Sequence, residues 1–201
     1  MPVQDPYAQP HQKTLRPRRI VSIFAGNTIQ IVGIVLGAFL LWSSAQPINT
    51  SARITAMLAG YLLIYFNSHS VIHYSIGKLV GIKFRHYSIG GSSHASSYPL
   101  LMRVVFERLP FFAVHSHPAS RKAAHPYAEA LMFAAGITGT VVFCTSAALF
   151  AYQASIPGGF ALLIFNVIWL VSSLLAEMRS SGDLGKAFTI IKNKVAPTMF
   201  L

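Results

Sequence analysis

Charged residues are scarce in this sequence, and acidic ones are scarcer still. Only 10% of the 201 residues are charged, with five acids against sixteen lysines and arginines. Soluble domains carry about a quarter charged residues, so this composition excludes a chain that faces water on all sides. A single cysteine, Cys144, excludes a disulfide within the chain.

Long apolar runs are what the sequence has instead. Hydrophobic residues make up 53% of the chain, and a helix that spans a bilayer needs about 20 mostly apolar residues. Four runs are long enough, at residues 20–42, 54–76, 128–152 and 158–178. Lipid offers no partner to backbone polar groups, and no run alternates with the period of two of a barrel strand. The predicted fold class is therefore an all-α polytopic membrane protein with four transmembrane helices.

Lysine and arginine are unevenly distributed between these runs. All but Arg53 lie in residues 1–19, in the long loop 77–127 or in the tail 179–201. Cytoplasmic segments are enriched in these residues, so we predict an integral multi-pass protein with both termini and the long loop in the cytoplasm. The same positive charge favours contact with anionic lipid headgroups. The sequence has no nucleic-acid-binding motif, so nucleic acid is not expected as a partner.

Three other segments have a recognisable pattern. Residues 82–91 are rich in β-branched and aromatic residues and end in glycines, which is typical of a strand or hairpin. Residues 100–109 form an amphipathic pattern that predicts an interfacial helix in the central loop, whereas residues 1–19 predict a mobile tail. Gly33 and Gly37 form a small-xxx-small pair, which we expect to pack against another membrane protein.

The stretch NSHSVIHYSIGKLVG, residues 67–81, places two histidines four residues apart. On a helix, His69 and His73 leave the same face and could share one ligand. A bis-histidine haem would need a histidine on another span, and a di-iron desaturase would need many more histidine ligands. The other three runs contain no histidine. Two alternatives remain: a single zinc, or hydrogen bonds from the histidines to Ser70, Asn67 or backbone carbonyls.

Asp183 is the acid that the predicted topology brings to the same side of the membrane. It lies in GDLGKAF, just after the fourth run. Catalytic zinc takes three protein ligands and leaves a fourth position for water. His69, His73 and Asp183 are therefore a candidate zinc site.

The order of these parts resembles the site-2-protease family of intramembrane zinc metalloproteases. HSVIHYSIGKLVGIKFRHYSIGG is similar to the family's H-E-x-x-H helix with its following glycine-ended strand, and GDLGKAF to a degenerate Asp-Gly motif. The resemblance covers about residues 54 to 190. It implies that His69, His73 and Asp183 are metal ligands. It also implies that the strand pairs with an extended substrate or partner, through Phe84, His86, Ile89, Gly90 and Gly91.

Ser70 stands where that family has its general-base glutamate. A positioned acid or base contributes roughly 10²–10⁴ to the rate, and a serine hydroxyl does not take up a proton near neutral pH. We therefore expect a non-proteolytic protein, an accessory or scaffold subunit bound to other integral membrane proteins. The alternative is an active metalloprotease with another base, for which Glu129 and Glu177 lie near the same membrane face.

Overall fold

The computed structural model describes residues 19–47, 49–91, 100–179 and 182–194. Within these ranges the chain forms a helical bundle with a small sheet at one end. The elements in chain order are β1 (Arg19–Val21), α1 (Ile23–Ser44), α2 (Thr50–Leu79), β2 (Phe84–Gly90), α3 (Leu100–Arg108), β3 (Phe111–Ser116), α4 (Pro118–Ala123), α5 (Pro126–Gln153), α6 (Gly159–Glu177) and α7 (Asp183–Lys194). Of the predicted tail, residues 1–18 lie outside the described ranges, and Arg19 begins β1.

Three helices, α1, α5 and α6, are long and apolar enough to cross a membrane. They indicate a membrane protein and correspond to three of the four predicted spans. α2 has 30 residues but is not among the three, because polar side chains from Asn67 to His73 interrupt its second half. The fourth span and the side of the membrane on which each terminus lies remain predictions.

Helices α1 and α2 pack closely because glycines line their contact. A Cβ on Gly37 would overlap the carbonyl oxygen of Gly60, and a Cβ on Gly33 would overlap the side chain of Asn67. The small-xxx-small face is thus occupied within the chain. Contact of Gly33 and Gly37 with another membrane protein, as predicted, would have to compete with this packing.

β2 is the central strand of a three-stranded antiparallel sheet in the order β1-β2-β3. The sheet makes the fold helical with a β component rather than purely helical. Tyr87 of β2 is fully buried against Gly26 of α1 and donates a 2.6 Å hydrogen bond to Asn27 Oδ1. The strand predicted at 82–91 is present at 84–90, but both its edges are paired. An added strand would have to displace β1 or β3 to pair with β2 in the way that the resemblance implies.

The buried core lies between α2, α5 and α6. Its largest members include Met57, Tyr61 and Leu170, and Tyr61 Oη donates to Asn166 Oδ1 at 2.7 Å. A helix is present at Leu100–Arg108 as α3, within the predicted range 100–109, and its location at the membrane interface remains a prediction. A further helix, α7, lies within the predicted tail 179–201 and packs Ala187 and Ile190 on the first turns of α5. This packing brings the start of α7 next to the last turns of α2.

Candidate metal centre

Three side chains from two helices converge at one point. His69 and His73 lie one turn apart on α2, and Asp183 is the first residue of α7. Asp183 Oδ2 is 3.3 Å from His69 Nε2 and 3.0 Å from His73 Nε2, and the two Nε2 atoms are 3.1 Å apart. Within the described residues, this is the one group of three such side chains whose atoms lie close enough together to hold a metal ion.

The size of this triangle fits a tetrahedral metal ion. Zinc bonds to imidazole nitrogen and carboxylate oxygen are about 2.0–2.2 Å long, so neighbouring ligand atoms in a tetrahedron are about 3.3–3.6 Å apart, slightly more than the edges of this triangle. The three edges measured here are 3.0, 3.1 and 3.3 Å. An ion above this triangle would bond to all three atoms and keep one position open.

Hydrogen bonds on the far side of each imidazole decide which nitrogen carries the hydrogen. His73 Nδ1 lies 2.6 Å from the Met132 carbonyl oxygen, which can only accept, so Nδ1 is the donor. His69 Nδ1 lies 3.3 Å from Thr140 Oγ1, which itself donates to the Gly136 carbonyl at 3.0 Å. In the neutral rings, both Nε2 atoms therefore present lone pairs.

The two lone pairs point towards each other and towards Oδ2 of Asp183, and the three atoms are 3.0 to 3.3 Å apart. Three electron-rich atoms in such a triangle repel one another unless a proton on one Nε2 or a metal cation lies between them. Hydrogen bonding from metal-ligating histidines to carbonyls or hydroxyls on their far side is the usual arrangement, since it fixes the ring orientation. The donor set of two neutral imidazoles and one carboxylate is therefore suited to a divalent transition metal.

Asp183 is held on three sides. Its Oδ1 accepts a 3.0 Å hydrogen bond from Lys186 Nζ, which leaves Oδ2 for the histidines. Its backbone N–H donates to Glu177 Oε2 at 2.6 Å. Burial raises the pKa of Asp183, but His73, His69 and Lys186 outweigh this effect and hold the pKa well below its usual range. The carboxylate is thus ionised at neutral pH, as a metal ligand must be.

A glycine on α5 gives His73 its space. A Cβ on Gly136 would overlap the imidazole of His73, whereas a Cβ on Gly139, one turn further, would overlap Ile72. Helix α5 therefore approaches α2 closely enough for Met132 and Thr140 to reach the two rings.

A cavity of about 470 Å³ opens onto the centre. It is lined by residues from α2, β2, β3, α5, α6 and α7, and these include Glu177 and Lys186. Ser70, which is 3% exposed, also lines it and donates a hydrogen bond to the Phe112 carbonyl of β3. The hydroxyl of Ser70 is thus bound to the backbone of β3.

The cavity also gathers most of the residues predicted to bind a substrate or partner. Phe84, His86, Gly90 and Gly91 line it, but Ile89 does not. The sequence prediction missed the residues that support the centre, namely Met132, Gly136, Thr140, Glu177 (considered only as a base) and Lys186. Backbone carbonyls leave no signal in a sequence, whereas Lys186, one turn after Asp183, could have been found from its spacing.

No protein-family model, curated protein or solved structure matches this chain. The assignment of the site therefore depends on its own geometry.

Proposed function

We propose that this chain is a zinc-binding membrane protein that resembles a site-2 protease but does not hydrolyse peptides. The observation that carries this proposal is the triangle of His69 Nε2, His73 Nε2 and Asp183 Oδ2, with edges of 3.0 to 3.3 Å. Hydrogen bonds between neutral rings and the carboxylate do not explain it, since both histidines use their Nδ1 hydrogens elsewhere. The competing explanation is a proton on Nε2 that joins a ring to Asp183, and metal content distinguishes the two.

Zinc is the metal that best suits these ligands. It accepts imidazole nitrogen and carboxylate oxygen in a tetrahedral arrangement, and two histidines with one carboxylate are a common set for a site with an open position. Imidazole also binds copper, iron and nickel, so competition among divalent ions tests the choice. When bound, the ion would supply Lewis acidity at its open position.

Ser70 is the reason for expecting no proteolysis. Its hydroxyl contacts the Phe112 carbonyl and has no capacity to carry a proton from attacking water to a leaving amine. Loss of such a group lowers rates by roughly 10²–10⁴. The backbone of β3 also lies against Ser70.

One observation favours the alternative of an active metalloprotease. Glu177 lines the same cavity, is 6% exposed and lies 2.6 Å from the backbone nitrogen of Asp183. The carboxylate of Glu177 is therefore in direct contact with a ligand residue. If this chain cleaves peptides, Glu177 is the base that we expect it to use.

A role as an accessory or scaffold subunit accounts for a retained centre without a base. A bound ion would link Asp183 of α7 to His69 and His73 of α2. The shape of the cavity beside these residues would then depend on the ion. Other integral membrane proteins are the expected partners. Extraction in a gentle detergent should then recover the chain with stoichiometric companions, and a lone monomer under all mild conditions would contradict this role.

Metal content is the experiment that tests the proposal. We expect about one zinc per purified chain, measured by elemental mass spectrometry, and none in a His69→Ala/His73→Ala double variant. Asp183→Asn, which keeps the shape of the side chain but removes its charge, should retain much less zinc. Zinc at the wild-type level in the double variant, or none in the wild-type chain, would overturn the proposal.

A second experiment separates the two functional alternatives. A quenched-fluorescent membrane-spanning peptide should not be cleaved by the zinc-loaded chain. The Ser70→Glu variant restores a carboxylate at the base position and tests whether cleavage is regained. Cleavage by the wild-type chain that disappears in Glu177→Gln, with zinc still bound, would establish the active alternative.

A further inference from the structure

Helix α7 exposes an apolar stripe next to a basic edge. Leu184, Phe188 and Ile191 are spaced by four and three residues and therefore lie along one side of the helix. Phe188 is 63% exposed and Ile191 is also exposed. Asp183 is the one acid in this twelve-residue helix, whereas Lys186, Lys192 and Lys194 are positive.

The buried side of α7 is already accounted for. Ala187 and Ile190 pack against Ala130 and Phe133 at the start of α5. Lys194 Nζ, near the end of α7, is 2.7 Å from Oε2 of Glu129, which is 2% exposed. The apolar stripe is therefore a second surface of the helix, separate from the one that holds it to the bundle.

The position of α7 relative to the spans indicates what covers this stripe. α5 has 28 residues, about 42 Å at 1.5 Å per residue, which exceeds the roughly 30 Å hydrocarbon core. The charged cluster of Glu129, Arg121 and Lys194 lies at the N-terminal end of α5, so that end is the one that extends beyond the hydrocarbon. Because α7 packs on those turns, it lies at the level of the lipid headgroups.

The lipid-facing surface of α6 continues towards the same place. Leu175 and Met178, in its last turn and just after it, are 62% and 56% exposed, and α7 begins five residues after Met178. An apolar stripe at headgroup level that is flanked by lysines is the pattern of an interfacial helix on an anionic bilayer.

We propose that α7 docks on the headgroup region of an anionic bilayer through Leu184, Phe188 and Ile191, and that docking holds Asp183 at the metal centre. The second part rests on the proposed function. A helix of twelve residues is marginal in isolation, so α7 depends on its contacts for its order. Docking adds a contact to the helix that carries the third ligand, and a lysine near an anionic surface strengthens such docking by about five-fold. Lys186 and Lys194 are already paired with Asp183 and Glu129, so we count Lys192 alone.

The depth of α7 in the bilayer is measured first and does not involve the metal. Nitroxide labels are placed at Phe188→Cys and, as the control on the other side of the helix, at Asn193→Cys, both in a Cys144→Ala background in nanodiscs. The label at 188 should be accessible to oxygen but not to a water-soluble nickel chelate, about 5–10 Å into the interface, and the label at 193 should be accessible to the chelate. Equal aqueous exposure of both labels would overturn the docking. Exclusion of both reagents from position 188 would mean that a protein surface covers it, and would also overturn the docking to lipid.

The coupling is measured by zinc competition against a chelator in two kinds of nanodisc. Zinc affinity of the full chain should be about five-fold or more higher with phosphatidylserine present than in phosphatidylcholine alone. Phe188→Asp should abolish this difference, whereas Asn193→Asp, with the same change in charge, should keep it. Equal zinc affinity in both discs would overturn the coupling alone. No zinc in either disc would overturn the proposed function and the coupling with it, while the nitroxide depths still decide the docking.

Discussion

Two histidine pairs line the same cavity, and they differ in how their rings are turned. The rings of His69 and His73 have centroids 4.7 Å apart and planes at 79°, and those of His86 and His115 are also 4.7 Å apart but stacked at 27°. The perpendicular pair points both Nε2 atoms at Asp183. The stacked pair, opposite each other on β2 and β3, has one ring nitrogen 2.8 Å from Ser88 Oγ.

Proximity alone therefore does not make two histidines a metal centre. Stacked rings direct their nitrogens side by side, whereas rings at a large angle can direct two lone pairs to one point. The first pair also has an acceptor for each Nδ1 hydrogen, Met132 and Thr140. Among the described residues, a carboxylate joins only the first pair. The following predictions test this difference.

The largest effect is expected from removing one ligand of the perpendicular pair. His73→Ala deletes a direct metal ligand, and we expect zinc affinity to fall by more than the roughly 10–100-fold that supporting residues contribute. His115→Ala removes a histidine from the same cavity and should leave zinc content unchanged. Elemental analysis with a size-exclusion check of folding measures both. Equal losses in the two variants would mean that the pairs are equivalent.

A smaller effect is expected from turning a ring without removing it. A methyl group at Gly136 would overlap the His73 imidazole, so Gly136→Ala should displace the ring and weaken zinc binding by about ten-fold or more. Gly139→Ala is the matched control, because its methyl group meets Ile72 instead. Titration with a fluorescent zinc chelator gives both affinities. Equal zinc affinities in Gly136→Ala and Gly139→Ala would show that the orientation of the His73 ring does not affect zinc binding.

A still smaller loss of zinc affinity is expected from removing the charge of Glu177, which accepts the hydrogen bond from the Asp183 backbone N–H. Glu177→Gln weakens the charge-assisted acceptor of the Asp183 N–H, and zinc affinity should fall by about ten-fold. Glu107→Gln removes the same charge from α3, where Glu107 pairs with Arg103, and should change nothing. The same titration compares them, and an unchanged affinity in Glu177→Gln would show that Asp183 is held without it.

The smallest effect is a gain at the stacked pair. Ser88 Oγ is already 2.8 Å from His115 Nε2, so Ser88→Asp would place a carboxylate beside His86 and His115. Because the stacked rings still point side by side, we expect only a weak second zinc, seen in calorimetry at high metal concentration. A second site as strong as the first would show that the carboxylate, and not the ring angle, decides binding.

The sequence was sufficient for the parts of this centre that depend on local spacing. Apolar runs predicted α1, α5 and α6 close to their observed ends, and the four-residue spacing placed His69 and His73 on one face. Asp183 followed from the distribution of lysine and arginine, without any contact being known.

Other parts depend on pairings between distant segments, which local patterns do not encode. β2 pairs with residues 19–21 on one side and with residues 111–116 on the other, and neither partner strand was predicted. The Nδ1 acceptors of the histidines are a backbone carbonyl and one threonine on α5, whose position depends on how closely Gly136 allows the helices to pack. Helix α7 was missed because its order depends on contacts with α5.

The central claim is that one zinc ion bonds to His69, His73 and Asp183. X-ray absorption at the zinc edge on the purified full chain in nanodiscs tests it most directly. We predict a four-coordinate ion with two imidazole nitrogens and oxygen neighbours at about 2.0–2.2 Å, the same in His115→Ala and absent in His73→Ala. A shell without imidazole scattering, or one that survives His73→Ala, would contradict the account.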